Sequence, residues 1–155
     1  MSSTHPDFAH IDAESVTATD LLELLRASPA EAWQTLNGKL LDVDSGRGIA
    51  RFRFEIVPAF CHSQGKICQG GFLTGMVDTA MATAAIAKGK LSVAVPTLEI
   101  KVSFFEAMGP GIVFAEGRVM RWGGSVGFLD GDLRDEKDRL IVHATSTIKI
   151  VRPKA

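Results

Sequence analysis

The residues that could do chemistry in this 155-residue chain crowd into one stretch, "CHSQGKICQGGFLTGMVDTAMATAAIAKG" at 61–89. Across 70–87 every residue is apolar, small or a threonine except one, Asp78. Read as a helix, the segment puts Gly71, Thr74, Gly75, Asp78 and Ala82 on one face, as i, i+3, i+4, i+7 and i+11 partners. Phe72, Leu73, Met76, Val77 and Ala80 fill the other side, so the helix reads as buried all round. A carboxylate buried without a partner is costly, and its pKa rises. Asp78 is therefore a functional acid or a structural one that caps a neighbouring helix or pairs with an arginine such as Arg53. The functional reading is the stronger, because perturbed acids gather at sites.

Gly70 and Gly71 open the same segment. The first amides of a helix lack intrahelical partners and sit at its positive end, which suits an oxyanion or a polarised carbonyl. Glycine lets a substrate approach that backbone closely. Eight residues at 1.5 Å each put Gly70 and Asp78 about 12 Å apart, so one reacting carbon cannot touch both. If they serve one site, the acid comes from a second copy of the helix, running antiparallel across a two-fold axis. The spacing thus predicts a homodimer with two sites at its interface.

Composition narrows the field. Apolar residues make up 46%, charged residues 23% and the formal net charge is −1, as in an ordinary globular protein with no basic surface for nucleic acid or anionic membrane. The start, "MSSTHPDFAHIDAES", has neither the basic cap nor the apolar run of an export signal, and Asp78 with its glycines argues against a membrane span at 67–87, so a cytoplasmic protein is expected. Cys61 and Cys68 then read as reduced thiols. With His62 they offer no second ligand pair for zinc, and no metal is expected.

The elements that must position these groups follow from period and punctuation. Residues 1–14 are polar and aperiodic and read as a flexible arm ahead of a single domain at 15–155. Leu21, Leu22, Leu24 and Leu25 mark a first short helix, and Ser28, Pro29 and Glu31 read as the capping box of a second. From Gly38 the period changes to two, with two strands joined at "DSGRG". The long helix at 70–88 comes next, followed by strands near 95–106, 111–122, 124–134 and 139–151, broken at "MGPG", "WGGS" and "RDEKDR". The expected architecture is α+β, an antiparallel sheet wrapped around one long central helix.

The order of two strands, "CHSQGKICQGGFLTGMVDTAMA", "PTLEIKVSFFEAMGPG" and "GSVGFLDGDLRDEKDRLIVHATSTIKI" resembles the hotdog-fold acyl-CoA thioesterases of the PaaI-like, phenylacetate-pathway group, over roughly residues 34–151. That group opens its central helix with His-Gly-Gly, places an Asp nine residues after the His, and carries an Asn and a Gly upstream. Here Gln69-Gly70-Gly71 stands in the His-Gly-Gly position and Asp78 falls at the matching offset. Glutamine can hydrogen-bond but cannot titrate near neutral pH, which removes any step that needs an imidazole there. Counting from Gly65 puts His62 in place of the Asn, and counting from Gln69 puts Ser63 there.

The resemblance implies hydrolysis of an aryl- or medium-chain acyl-CoA to the free acid and coenzyme A. The Gly70 amide would hold the oxyanion, Asp78 of a partner subunit would act as general base or as nucleophile, and Thr97 would orient the water. Gly71 and Thr74 would line the substrate, and Arg121, Gly124 and Ser125 in "RWGGSVGF" fall where relatives have the coenzyme A entrance. Coenzyme A enters only as part of the substrate, without metal or redox cofactor, and assembly of such dimers into a dimer of dimers is common in the group. Phe60, Phe72, Met76, Phe104 and Phe105 are candidate linings of an acyl pocket. Two other readings keep the fold. A hydratase would need an Asp–His pair, and no histidine follows Asp78 closely. The alternative is a non-catalytic acyl-CoA-binding hotdog module, against which stands the retention of a costly buried acid.

Overall fold

The computed structural model of the protein describes residues 17–152, so the expected arm at 1–14 lies outside the described residues. Helix α1 (Ala18–Ala27) is opened by Thr17, whose hydroxyl accepts from the Asp20 amide while Asp20 returns a bond to the Thr17 backbone, a complete capping box. The box expected at Ser28 and Glu31 does not form. Ser28 instead ends α1, its amide donating to Leu24 at 3.3 Å. The next helix, α2 (Glu31–Thr35), starts from Ala30 with no side-chain cap. Pro29 follows the close of α1, where it cannot continue that helix, instead of opening the next one.

Strands β1 (Gly38–Asp44) and β2 (Ile49–Ile56) form the expected hairpin. A turn of 3-10 helix over Pro58–Phe60 and a two-stranded hairpin, β3 (Cys61–His62) and β4 (Ile67–Cys68), then lead directly into α3 (Gly70–Lys88). Four strands complete the chain: β5 (Thr97–Phe104), β6 (Gly111–Trp122), β7 (Val126–Asp135) and β8 (Leu140–Lys149). The main sheet runs β1-β2-β6-β7-β8-β5, antiparallel at every junction. It curls around α3, the hotdog architecture.

Period-two alternation decides which face meets the helix. Phe52, Phe54 and Ile56 of β2, Val113 of β6 and Leu133 of β7 are buried beneath Leu73, Met76, Val77, Ala80 and Met81 of α3. Phe52 and Phe54 stack at 5.4 Å between centroids, and Trp33 of α2 meets Phe52 edge-on at 4.9 Å. Two strand glycines set how closely the helix lies. A Cβ on Gly117 would stand 2.3 Å from the Ala80 backbone, and one on Gly131 would stand 2.9 Å from Val77 and Met81 side-chain carbons.

The outer face is the reverse in character. Register places Asp42, Arg51, Glu116, Asp132 and His143 side by side across β1, β2, β6, β7 and β8. Arg51 bridges Asp42 at 2.9 Å and Glu116 at 2.6 Å; Arg118 bridges Glu116, Asp130 and Asp132 at 2.8–3.0 Å. His143 Nδ1 meets Asp132 at 2.7 Å. No helix among the described residues is long and apolar enough to cross a membrane.

Gly117→Ala is expected to cost about 3 kcal/mol, because the obstacle at Gly117 is backbone and cannot rotate away. A urea titration checks this: the midpoint falls while the slope stays constant.

Candidate active site

α3 begins after Gln69, whose extended backbone (φ −67°, ψ 134°) turns the chain into the helix without any side-chain cap. The amides of the first turn are consequently not spent on a capping side chain. Gly71 has open space above it: a Cβ there would meet nothing within 4 Å. Gly70 is covered by Phe104, whose ring would lie 2.9 Å from a Cβ at that position. The Thr74 hydroxyl is turned back to its own helix, donating to the Gly70 carbonyl at 2.8 Å.

Two turns further on, Asp78 is half-buried, and among the described residues it has no ion pair. Its one side-chain partner is Thr97, whose hydroxyl donates to Asp78 Oδ1 at 3.1 Å. Burial pushes the Asp78 carboxyl above its ordinary range, and the Thr97 bond pulls it part of the way back. The pairing of this acid with Arg53 fails on placement. Arg53 lies on the outer sheet face, with Phe52 and Phe54 buried on the face that meets α3.

The strand β5 serves both the start and the middle of the helix. It starts with Thr97 beside Asp78 and ends with Phe104 against Gly70. It is also the last strand of the sheet, paired only with β8. On it and just past it, Leu98, Phe104 and Phe105 are 60%, 50% and 59% exposed. Beside this open edge the Gly71, Thr74, Asp78 face of α3 is only partly covered, so among the described residues the helix is not buried all round. Of the aromatic lining, Phe60 and Phe72 stack at 4.5 Å near the helix start. Met76, grouped with them from the sequence, is fully buried in the core.

The remaining sequence candidates lie apart. His62 and Ser63 sit exposed on the β3–β4 hairpin, bonded to each other at 2.9 Å, with Ser63, Gln64 and Gly65 in left-handed backbone conformations that make the turn. Arg121 at the end of β6 and Gly124 and Ser125 in the β6–β7 turn lie toward the other end of α3. Nearby, Val119 bonds Gly48, and Lys88 reaches Gly46. Arg121, Gly124 and Ser125 are exposed. Two features lacked a sequence signal. The β3–β4 strands are two residues each, too short to show a period. The Asp78–Thr97 bond spans 19 residues of sequence. Among the described residues no three histidine, cysteine, aspartate or glutamate side chains converge as metal ligands would.

The raised pKa of Asp78 has a consequence for stability. The folded state holds this proton more tightly than the unfolded chain does, so the contribution is present at low pH and lost as pH rises through the folded value. Asp78→Asn is therefore expected to raise Tm at pH 7–8 relative to wild type, with the gap closing toward pH 3–4. Parallel thermal melts across that range check the sign.

A thioesterase superfamily family model matches residues 65–142, half of the chain, including Gln69, Gly70, Asp78 and Thr97. A search of proteins of curated function found no match. Among solved structures, a phenylacetic acid degradation-related protein of Ralstonia eutropha JMP134 is 27% identical, with a TM-score of 0.75 over 83% of this chain and 98% of that one. The PaaI protein of the E. coli phenylacetic acid degradation operon superposes with a TM-score of 0.76 at 15% identity, over 90% of this chain and 98% of that one. A thioesterase of Haemophilus influenzae gives 0.74 at 16% identity, over 89% and 92%. With its hotdog fold and a family match over half of its length, this chain belongs to the thioesterase superfamily and is similar to its PaaI-like members.

Proposed function

We propose that the protein hydrolyses acyl-CoA thioesters carrying an aryl or medium-chain acyl group, at sites shared between two copies of the chain. The observation that carries this reading is Asp78: a half-buried acid on a partly covered helix face, with a threonine as its one side-chain partner. A structural acid would be paired. Gly70 lies on the same helix eight residues away, about 12 Å along its axis, so one copy does not bring acid and amide to one carbon. An antiparallel second helix on that face would do so, and the open edge of β5 with Leu98 and Phe105 is surface suited to that contact. The same operation would carry the partner's β6–β7 turn toward the Gly70 end, where Arg121 could meet a coenzyme A phosphate.

In the reaction, Asp78 takes a proton from water. Thr97 donates to Oδ1, which leaves Oδ2 for that water, and its own oxygen can accept from the same molecule. The hydroxide adds to the thioester carbonyl, whose charge develops beside the Gly70 amide. Collapse of the adduct breaks the carbon–sulfur bond, and the thiolate leaves as coenzyme A. The half-buried Phe60–Phe72 stack and the Phe104 ring offer an apolar lining for the acyl group.

Release of coenzyme A from a panel of aryl- and alkyl-acyl-CoAs tests the reading. Asp78→Asn is expected to lose roughly 10²–10⁴-fold in kcat. Gly70→Pro removes the amide while keeping the helix, because proline suits the first helical position and Gln69 already has the extended backbone a preceding residue needs. It should lose roughly 10²–10³-fold. Mixing the two variants through a cycle of dissociation and reassociation should restore turnover, since one interface site then has both wild-type groups. No gain on mixing defeats the shared site, and no turnover of any thioester by wild type defeats the hydrolase. The acid limb of kcat/KM should lie above the ordinary carboxylate range, and Thr97→Val should move it higher still, because the bond that lowers the Asp78 pKa is gone.

A further inference from the structure

The hairpin that delivers the chain into α3 also holds both of the protein's cysteines, and it holds them opposite one another. Cys61 is the register partner of Cys68, as His62 is of Ile67. The Cys68 amide donates to the Met108 carbonyl at 2.7 Å and not across to Cys61, whereas the Gln69 amide donates to Phe60 at 2.9 Å. Those two bonds make Cys61–Cys68 a non-hydrogen-bonded pair of the ladder, the position where Cα atoms stand about 4.5 Å apart and side chains lie closest. A disulfide accepts Cα separations of about 4.4–6.8 Å. Both thiols are free, and the hydrolysis uses neither.

Their place in the chain gives the pair leverage. Cys68 ends β4, and the next residue is Gln69, the N-cap of α3. The Cys68 thiol donates to the Gln69 carbonyl at 3.7 Å, and the same carbonyl accepts the Phe72 amide at 3.0 Å in the first helical turn. Oxidation would remove the thiol donor from the carbonyl that closes this turn and tie the helix start to β3. Access is unequal: Cys68 is 4% exposed, while Cys61 is half-buried. Burial, with the Cys61 thiol beside it, pushes the Cys68 thiol up to about 12, so Cys61 is the thiol that meets an oxidant first.

We propose that Cys61 and Cys68 are a reversible redox site, closed to a disulfide by low-molecular-weight disulfides, that resets the start of α3. The Cys61 thiolate attacks one sulfur of RS–SR, forming Cys61–S–S–R and expelling RS⁻. Cys68 gives up its proton to solvent and attacks Cys61 Sγ, forming the Cys61–Cys68 bond and expelling the second RS⁻. Two protein thiols are oxidised, one small disulfide is reduced to two thiols, and both protons end on those thiols. Once the mixed disulfide has formed, no thiolate remains beside Cys68 to oppose its deprotonation. The loss of activity rests on the thioesterase reading, whereas the crosslink does not.

The full chain is incubated with oxidised glutathione, alkylated and measured by intact mass and peptide mapping, with coenzyme A release and amide hydrogen exchange at 69–74 followed in parallel. The expected product has lost two hydrogens, links Cys61 to Cys68, exchanges differently at the first turn of α3, and hydrolyses about tenfold more slowly or worse, since a small displacement of a catalytic donor is enough. Dithiothreitol should reverse every change. Cys61→Ser should show none of them, and Cys68→Ser, a second variant at the buried position, should stop at the glutathione adduct on Cys61 and never form the crosslink. In the wild type, glutathione left on Cys61 with no internal crosslink overturns the proposal. So does a crosslinked protein whose first-turn exchange matches the reduced form. A protein inactive before treatment that still forms the crosslink with altered exchange would instead sink the hydrolase reading and keep the redox site.

Discussion

The closeness of α3 to the sheet is the constraint from which the rest of the molecule follows. At Gly117 the helix backbone at Ala80 occupies the space a side chain would need, and Gly131 makes similar room for Val77 and Met81. Packed this deeply on one side, the helix turns large residues toward the curved sheet at Leu73, Met76 and Met81. Its opposite face is made of glycine, threonine, alanine and one acid, and the described residues cover it only in part. Asp78 lies on the face that the sheet leaves over. The amide end is free because Gln69 begins the helix without capping it.

Much of this was legible in the sequence, for identifiable reasons. Nineteen residues of small and apolar character between Gln69 and Gly89 gave the central helix its limits. The alternation through Arg51, Phe52, Arg53 and Phe54 gave β2 its two faces. Asp78 stood out because nothing around it was polar enough to justify it. What the sequence withheld was tertiary. Arg53 looked like a partner for the acid until the pleat sent it to the far side of the sheet. Ser28 looked like a cap, but the chain was still leaving α1 there. The β3–β4 hairpin was invisible because strands of two residues have no period, and with it went the meeting of the two cysteines. The pairing of Thr97 with Asp78 depended on how β5 crosses the helix, which no local pattern encodes.

The sheet acts as a partition between two kinds of polar group. On its outer face Asp42, Arg51, Glu116, Arg118, Asp132 and His143 neutralise one another in a chain of bonds that crosses five strands. On its inner side, among the described residues, Asp78 has only a hydroxyl. Arg51 and Arg118 are occupied on the outer face, Arg53 is turned to it as well, and a layer of phenylalanine and valine separates all three from the acid. An Asp–His pair does exist in this protein, at Asp132 and His143, but it stands on the charged face with the sheet between it and α3. The contrast keeps Asp78 perturbed, because half-exposed ion pairs satisfy each other and project little field through an apolar core.

Strand β5 joins Thr97 at one end to Phe104 at the other, and it does so as the outermost strand, held to the sheet only through β8. Edge strands detach more readily than central ones, since half of their hydrogen-bonding groups look outward. A fluctuation that lifts this one strand withdraws the hydroxyl from Asp78 and uncovers Gly70 in the same event, while β2, β6 and β7 keep their grip on the helix. Warming should therefore silence the molecule before it melts it: function would fade along a shallow curve set by one strand's attachment, well below the steep collapse of the core.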